Sequence, residues 1–353
     1  MRILHLVLSP RMSGAEMLVR DLALYQQRAG ETVAVAALMP AHADFAPLRA
    51  QLAAAGVACS FPPRAQRPLA RLWHLHGVMR RWRPDIVFAH ATIPAFYARA
   101  LPSRVPVVYV MHSAVNDFQR DLFRWTERLL SRRARAVVGV AESNVHDYLA
   151  EVGPHPRLTV IPNGVDTSRI GLPAIAPPED SSLLLQIGRY DAVKNQLHTV
   201  RAFHALLQQV PQARLALYGV FEDAAYYGKV RALVAQLGLI DRVSINGTSD
   251  NVPALLAQAS VFAMPSASEA HSIAFLEALA SGIPVVASAI PAFAFARGHA
   301  AVQLVDCADS GAYAQALARA LAQPRAVRPL DGLTLQDTAR RYQAIAHEVL
   351  GVA

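Results

Sequence analysis

Two successive series of short, uninterrupted apolar runs, each alternating with helical segments, constrain this chain's fold more than any other feature. The first series offers Ile3–Leu8, Thr32–Leu38, Val57–Ser60, Ile86–His90, Pro106–His112 and Ala136–Ala141 as strands. Between them fall helical stretches: one opened by Ser13-Gly-Ala-Glu16 and reaching Ala29, then Ala46–Ala55, Pro68–Trp82, Pro94–Leu101 and Phe118–Arg133. Strands that are apolar on both faces and joined by helices belong to a parallel sheet covered on both sides. The pattern restarts with Leu183–Ile187, Arg214–Tyr218, Val243–Asn246 and Ser260–Met264, separated by helices over Gln196–Gln209, Ala224–Leu237 and Val252–Ala259. A Pro-Asn-Gly turn inside Val160–Asp166 closes the first series, and the Pro-rich Leu172–Pro178 reads as a linker. The expectation is an α/β protein of two doubly wound, Rossmann-like domains facing across a cleft. Ligands in such sheets bind beyond the carboxyl ends of the strands.

The segment Pro265–Ser288 carries the most chemistry. Glu269 and Glu277 are separated by seven residues. On one helix they would share a side, about 12 Å apart along the axis. Glu269 is expected at a loop-to-helix junction, where amides are unpaired and anions are attracted. Carboxylates accept from sugar hydroxyls, and free amides cradle a diphosphate. Several other chemistries are excluded. No two glycines are spaced G-x-G, no G-x-x-x-x-G-K-[ST] occurs, and there is no Asp-x-Asp clamp. Cys59 and Cys307 lie far apart without metal-ligand spacing, so no metal site is expected.

Charge is divided unevenly. Residues 1–165 hold 20 Arg against 11 acidic residues, a net of +9, and residues 166–353 hold 12 Arg and 2 Lys against 15, a net of −1. The excess positive charge of the first half implies an anionic partner there. Arg120, Arg124, Arg128 and Arg132 recur every four residues beside Phe118, Phe123 and Trp125, a pattern that suits an anionic membrane surface. No nucleic-acid-binding module is evident. Met1-Arg-Ile-Leu opens a strand at once, with no leader, and no apolar run approaches a membrane span. A cytoplasmic protein, peripheral on the inner face of the cytoplasmic membrane, is expected.

Taken in order, these motifs resemble the retaining glycosyltransferases of family 4. The resemblance rests on Ser13-Gly14-Ala15-Glu16, Pro84–Val87 leading to His90, the strand-end His112 and Val160–Asp166. It continues through Ile187-Gly188-Arg189, Lys194-Asn195 and the Glu269–Glu277 segment. It implies the GT-B fold, with domains at 1–170 (acceptor side) and 171–334 (nucleotide-sugar side) and a C-terminal helix near 335–353 returning to the first. It implies no cofactor, and a nucleotide-diphospho-sugar as donor, expected as a UDP- or GDP-sugar. Arg189 and Lys194 would hold the donor diphosphate. Glu277 would bind ribose hydroxyls, and Glu269 and His112 would approach the transferred sugar. Main-chain amides of Ser272 and Ile273 would contact the diphosphate, and Gly14 would let backbone approach the donor. His90 is a weaker candidate, and Asn163 and Asp166 read as turn residues.

The sequence departs from the family pattern at Ser13, at Ala270-His271 in place of Gly-Phe, and at Ala289–Phe293 in place of a Gly-Gly pair. The implied activity is retaining transfer of a sugar to a lipid-linked or envelope glycan, such as lipopolysaccharide, O-antigen or capsule. A nucleotide-sugar epimerase-like enzyme and a catalytically degenerate sugar-nucleotide-binding subunit stand as alternatives.

Overall fold

The computed structural model describes residues 1–113, 117–170 and 182–352. The chain divides into two compact units, Met1–Gly164 with Gly332–Ala353, and Val165–Asp331. Unit 1 is built on strands β1 (Arg2–Val7), β2 (Thr32–Ala37), β3 (Ala58–Ser60), β4 (Ile86–His90), β5 (Val107–Met111), β6 (Ala134–Gly139) and β7 (Leu158–Val160). They form one parallel sheet in the order β3-β2-β1-β4-β5-β6-β7. Its helices are α1 (Gly14–Arg28), α2 (Ala46–Ala54), α3 (Pro68–Trp82), α4 (Thr92–Ala100), α5 (Asp121–Leu130) and α6 (Glu142–Glu151). Alternate strand residues separate the two cores. Leu4, Leu6, Val87, Ala89 and Tyr109 pack with Leu75, Val78, Ala95 and Ala98 of α3 and α4. Val7, Val33 and Val35 pack with Val19, Leu48 and Leu52 of α1 and α2.

Unit 2 follows the same plan. After α7 (Thr167–Ile170), strands β8 (Leu183–Ile187), β9 (Arg214–Tyr218), β10 (Val243–Asn246), β11 (Val261–Met264), β12 (Val285–Ser288) and β13 (Val302–Val305) form a second parallel sheet. Their order is β10-β9-β8-β11-β12-β13. Helices α8 (Gln196–Leu206), α9 (Ala224–Gln236), α10 (Val252–Gln258), α11 (Ile273–Ala280) and α12 (Ser310–Leu321) connect them. Caps mark several starts: Asp223, Asn251, Ser272 and Asp309 each accept from amides of the following turn. Arg328, buried, donates to the carbonyls of Ala278, Leu279, Ile283, Ala300 and Ala301. It thereby ties the end of α11 to the starts of β12 and β13.

The last helix, α13 (Leu335–Leu350), belongs to unit 1, where it packs on α1 and β6. Thr334 and Asp337 close a capping box at its start, and Gly351 ends it in the left-handed conformation. The Pro-Asn-Gly turn receives it. Thr338 Oγ1 donates to the Pro162 carbonyl at 2.9 Å, and a Cβ on Gly164 would lie 2.2 Å from the Thr334 carbonyl oxygen. Only glycine permits that approach.

Two sequence expectations change. The helix expected over Phe118–Arg133 is α5 flanked by 3-10 turns at Asp117–Gln119 and Ser131–Arg133. Arg120 is extended at the cap of α5 (φ −87°, ψ 119°), so it and Arg132 lie outside the α-helix and the four arginines form no single stripe. The segment after Ser288, for which no element was expected, holds a 3-10 turn at Pro291–Ala296 and then β13 and α12. The linker read at Leu172–Pro178 lies outside the described residues.

Candidate functional site

In unit 2 the winding reverses between β8 and β11, the place where the crevice of an open parallel sheet forms. The loops after these two strands supply the charged candidates. Lys194 Nζ forms an ion pair with Glu269 Oε1 across the reversal, the side chains being 15% and 10% exposed. Arg189 is more open and pairs with Asp191 at 3.2 Å. Asp191 in turn accepts from the Lys194 amide at 2.9 Å. The residues after β8 are therefore cross-braced, leaving the Arg189 guanidinium partly accessible.

The two loops are fixed by amide side chains that sequence reasoning did not single out. Gln186 donates to the Lys194 carbonyl at 2.7 Å. Gln196 donates to the carbonyls of Gly188 and Arg189 at 3.2 and 2.8 Å. Asn195, in the left-handed conformation at φ 58°, donates to the Pro265 carbonyl at 3.2 Å. A signal was available, because Gln186 interrupts an otherwise apolar strand. Gly219 closes the arrangement: a Cβ there would lie 1.9 Å from the Gly188 carbonyl oxygen, so glycine alone lets the ends of β8 and β9 converge.

Glu269 does not sit on the helix with Glu277. Ser272 caps α11 by accepting from the Phe275 amide at 3.4 Å, so the helix begins at Ile273 and Glu269 lies in the loop before it. The shared-helix-face argument therefore fails for this pair. Glu277 is buried in the second turn of α11. The first amides of α11, Ile273 included, lack intrahelical acceptors by helix geometry. His271 stacks on Phe295 at 5.6 Å, and burial pushes its pKa down to about 4, so the ring is neutral at physiological pH.

Unit 1 holds Gly14, His90 and His112 beyond or at the carboxyl ends of β1, β4 and β5, beside its own winding reversal between β1 and β4, whereas Asn163 and Asp166 flank the boundary with unit 2. Gly14 opens α1 beyond β1, and outside its chain neighbours and its own helical turn no described atom lies within 4 Å of the position its Cβ would take. The fold itself therefore sets no steric requirement for glycine there. His112 immediately follows β5, and His90 ends β4. They are not separate histidines: His90 Nδ1 and His112 Nε2 are 2.9 Å apart, and His90 Nε2 lies 2.9 Å from His5 Nδ1. His5 was not singled out from sequence, because a histidine inside a buried strand shows no partner until the strand order is known. Asp166 serves the turn, accepting from the amide and hydroxyl of Ser168. Asn163 is buried in the turn that receives α13.

The family described as Glycosyltransferase Family 4 matches residues 12–169, and that described as Glycosyl transferases group 1 matches residues 172–331. A GDP-mannose:cellobiosyl-diphosphopolyprenol alpha-mannosyltransferase of Xanthomonas oryzae pv. oryzae is 32% identical over 184 residues, 52% of this chain and 48% of that protein. The matched region thus spans about half the length of such curated relatives. Among solved structures, Anabaena HepE in complex with UDP and glucose superposes with a TM-score of 0.77 at 20% identity, covering 99% of this chain and 95% of that one. A glycosyltransferase of Rickettsia africae ESF-5 gives 0.73 at 16% identity, covering 100% and 99%. The architecture is GT-B.

Proposed function

The chain belongs to glycosyltransferase family 4, and from that premise we propose that it is a retaining glycosyltransferase. It would move a sugar from a nucleotide-diphospho-sugar to a lipid-linked or envelope glycan. The observation that carries this reading is the Lys194–Glu269 pair at the winding reversal of unit 2, with Arg189 open beside it. Two cations suit a diphosphate, and Arg189 offers a planar fork of donors for phosphate oxygens. The amides of Ser272, the cap of α11, and of Ile273 add main-chain donors, and Glu277 is the acceptor for ribose hydroxyls. Glu269, oriented by Lys194, aligns the transferred sugar. In this reading catalysis comes from positioning and from stabilising charge on the departing diphosphate. HepE, bound to UDP and glucose in its own crystal, supports a nucleotide-sugar donor.

The acceptor reading is supported by unit 1. Helix α4 packs against both α3 and α5. Leu69 and Trp73 of α3 and Leu122, Trp125 and Leu129 of α5 are exposed. Arg124 pairs with Asp121 and Glu151, whereas Arg128 lies over the Trp125 ring at 5.5 Å. A row of apolar side chains edged by arginine suits an interfacial helix next to a lipid-linked substrate. Among the described residues no helix is long and apolar enough to cross a membrane. The mannosyltransferase of Xanthomonas oryzae, whose name specifies a diphosphopolyprenol acceptor, supports the same class.

The test is a thermal-shift screen with UDP, GDP, ADP and CMP, followed by turnover of the matching nucleotide sugars in excess EDTA. A ligand at a hundred times its Kd adds about 2.7 kcal/mol of apparent stability. The expected product keeps the donor's anomeric configuration by NMR. Failure of every nucleotide to stabilise the protein, or an inverted product, would overturn the reading.

A further inference from the structure

Three histidines, two buried (His5 and His90) and one half-buried (His112), cross the unit 1 sheet in a diagonal row. His5 is paired in register with Phe88, and His90 lies two residues beyond Phe88 on β4. His90 is paired with Val110, and His112 lies two residues beyond Val110. Each step moves toward the carboxyl end of the sheet, so the row runs from the strand interior to the edge where ligands bind. At its inner end Gln26 of α1 meets His5, Oε1 to Nε2, at 2.8 Å. The next links are His5 Nδ1 to His90 Nε2 and His90 Nδ1 to His112 Nε2, both 2.9 Å. At the outer end His112 Nδ1 is buried and has no partner among the described residues.

We propose that Gln26, His5 and His90 form a positioning relay that fixes His112 as its Nε2–H tautomer and so presents the Nδ1 lone pair to a donating hydroxyl of the transferred sugar. This rests on the glycosyl-transfer reading above, and it adds three residues which that reading does not use.

The argument is one of proton counting. A neutral imidazole has one donor and one acceptor nitrogen. The Gln26 carbonyl oxygen can only accept, so His5 donates from Nε2 and must accept at Nδ1. His90 then donates from Nε2 and accepts at Nδ1, and His112 donates from Nε2. One acceptor at the inner end thus sets every tautomer to the outer edge. The ring nitrogens face one another in series and do not converge on a point, so the row is a hydrogen-bond chain and not a metal site. Burial keeps the rings neutral, lowering His5 and His112 to about 4 and His90 well below its ordinary 6.5, with His112 and His5 acting further on His90. Tyr342 of α13 stacks on His90 at 6.4 Å, 13° from parallel, and holds the middle ring. A buried acceptor left unmet is costly, whereas a donating ligand hydroxyl satisfies it.

The experiment is nitrogen NMR of the full chain carrying 15N-labelled histidine, without ligand. The expected spectrum has a pyridine-like Nδ1 and a pyrrole-like Nε2 for His5, His90 and His112. A pyrrole-like Nδ1 on His112, or a mixture of tautomers there, overturns the relay. Gln26→Glu supplies an acceptor-only group once its carboxyl is ionised and then preserves the pattern; a reversed pattern with the carboxylate ionised and His5 neutral also overturns the relay. Gln26→Leu removes the anchor and should give mixed tautomers at His112 with unchanged circular dichroism, and a pure Nε2–H form there would count against the relay. If Gln26→Leu does not fold, the wild-type and Gln26→Glu spectra decide alone. In turnover with the nucleotide sugar chosen by the screen above, Gln26→Leu should lower kcat/KM roughly tenfold, the worth of one neutral hydrogen bond. Affinity for the free nucleoside diphosphate, which lacks the sugar hydroxyl, should not change, and an equal fall in it would overturn the assignment. A wild type that turns over no nucleotide sugar would sink the transfer reading and leave the relay to the spectra.

Discussion

Arg99 and Glu127 meet as a two-pronged ion pair with neither side chain exposed, joining α4 to α5. The guanidinium reaches both carboxylate oxygens at 2.8 and 2.6 Å, and Tyr148 donates to the same carboxylate at 3.0 Å. The Tyr109 ring lies beneath the guanidinium at 5.2 Å. Removing one partner strands a buried charge, which costs about 3–5 kcal/mol. Glu127→Leu should therefore lower stability by that amount in urea unfolding. The double variant Arg99→Met/Glu127→Leu should recover much of it, because a fitted apolar pair needs no desolvation of charge. A Glu127→Leu protein as stable as the wild type would remove this role.

The two cations of unit 2 should fail in different ways. Arg189 is partly exposed, so Arg189→Ala should leave the unfolding midpoint nearly unchanged. Its turnover should fall by roughly one to two decades, the worth of a lost charge-assisted bond. Lys194 is mostly buried against Glu269, so Lys194→Ala should lose both turnover and about 3 kcal/mol of stability. Full activity in the Arg189→Ala/Lys194→Ala double variant would exclude the diphosphate clamp.

Membrane docking should depend on apolar side chains as much as on charge. Leu122, Trp125 and Leu129 recur at spacings of three and four along α5, whereas Arg124 is tied to Asp121 and Glu151. Leu122→Ser/Trp125→Ser/Leu129→Ser should abolish sedimentation with vesicles rich in anionic lipid, and nucleotide binding should be unaffected. Added salt should weaken binding of the wild type only in part, since screening reaches charges but not buried apolar area. Equal sedimentation of wild type and triple variant would show that this helix faces water.

Acid should destabilise unit 1 early. His5, His90 and His112 have folded pKa values below their ordinary 6.5, so the unfolded chain binds more protons than the folded one as pH falls through 6.5. Stability is then present in full above 6.5 and is lost on acidification toward 4, each ring contributing up to about 1.4 kcal/mol per pH unit. Urea midpoints should stay level from pH 7.5 to about 6.5 and then fall toward pH 5, less steeply in His5→Phe. A flat profile would contradict neutral burial of these rings.

Strand identities were legible because parallel sheets buried on both faces leave continuous apolar runs, and β1, β4, β8 and β11 lie where Ile3, Ile86, Leu183 and Val261 begin such runs. What the one-dimensional pattern hides is lateral order. That His5 neighbours His90, or that Lys194 reaches Glu269 across 75 positions, depends on which strands lie side by side. Glu269 does lie at a loop-to-helix junction, but the helix face it was expected to share with Glu277 does not exist, because α11 begins only at Ile273. A serine cap at residue 272 is visible in the sequence, yet it competes with an apolar periodicity that begins earlier, at Ala267 and Ala270. The arginine recurrence over 120–132 looked helical throughout, but the backbone at Arg120 is extended.

The return of α13 to unit 1 means that the first unit to begin is the last to be completed. The strands of unit 1 are translated first, yet the helix that covers His90 and seats on Gly164 comes only after all of unit 2. On the ribosome, unit 2 can therefore finish folding while unit 1 still exposes one flank of its sheet. A nascent chain halted near residue 331 would carry a complete second half and an unsealed first half.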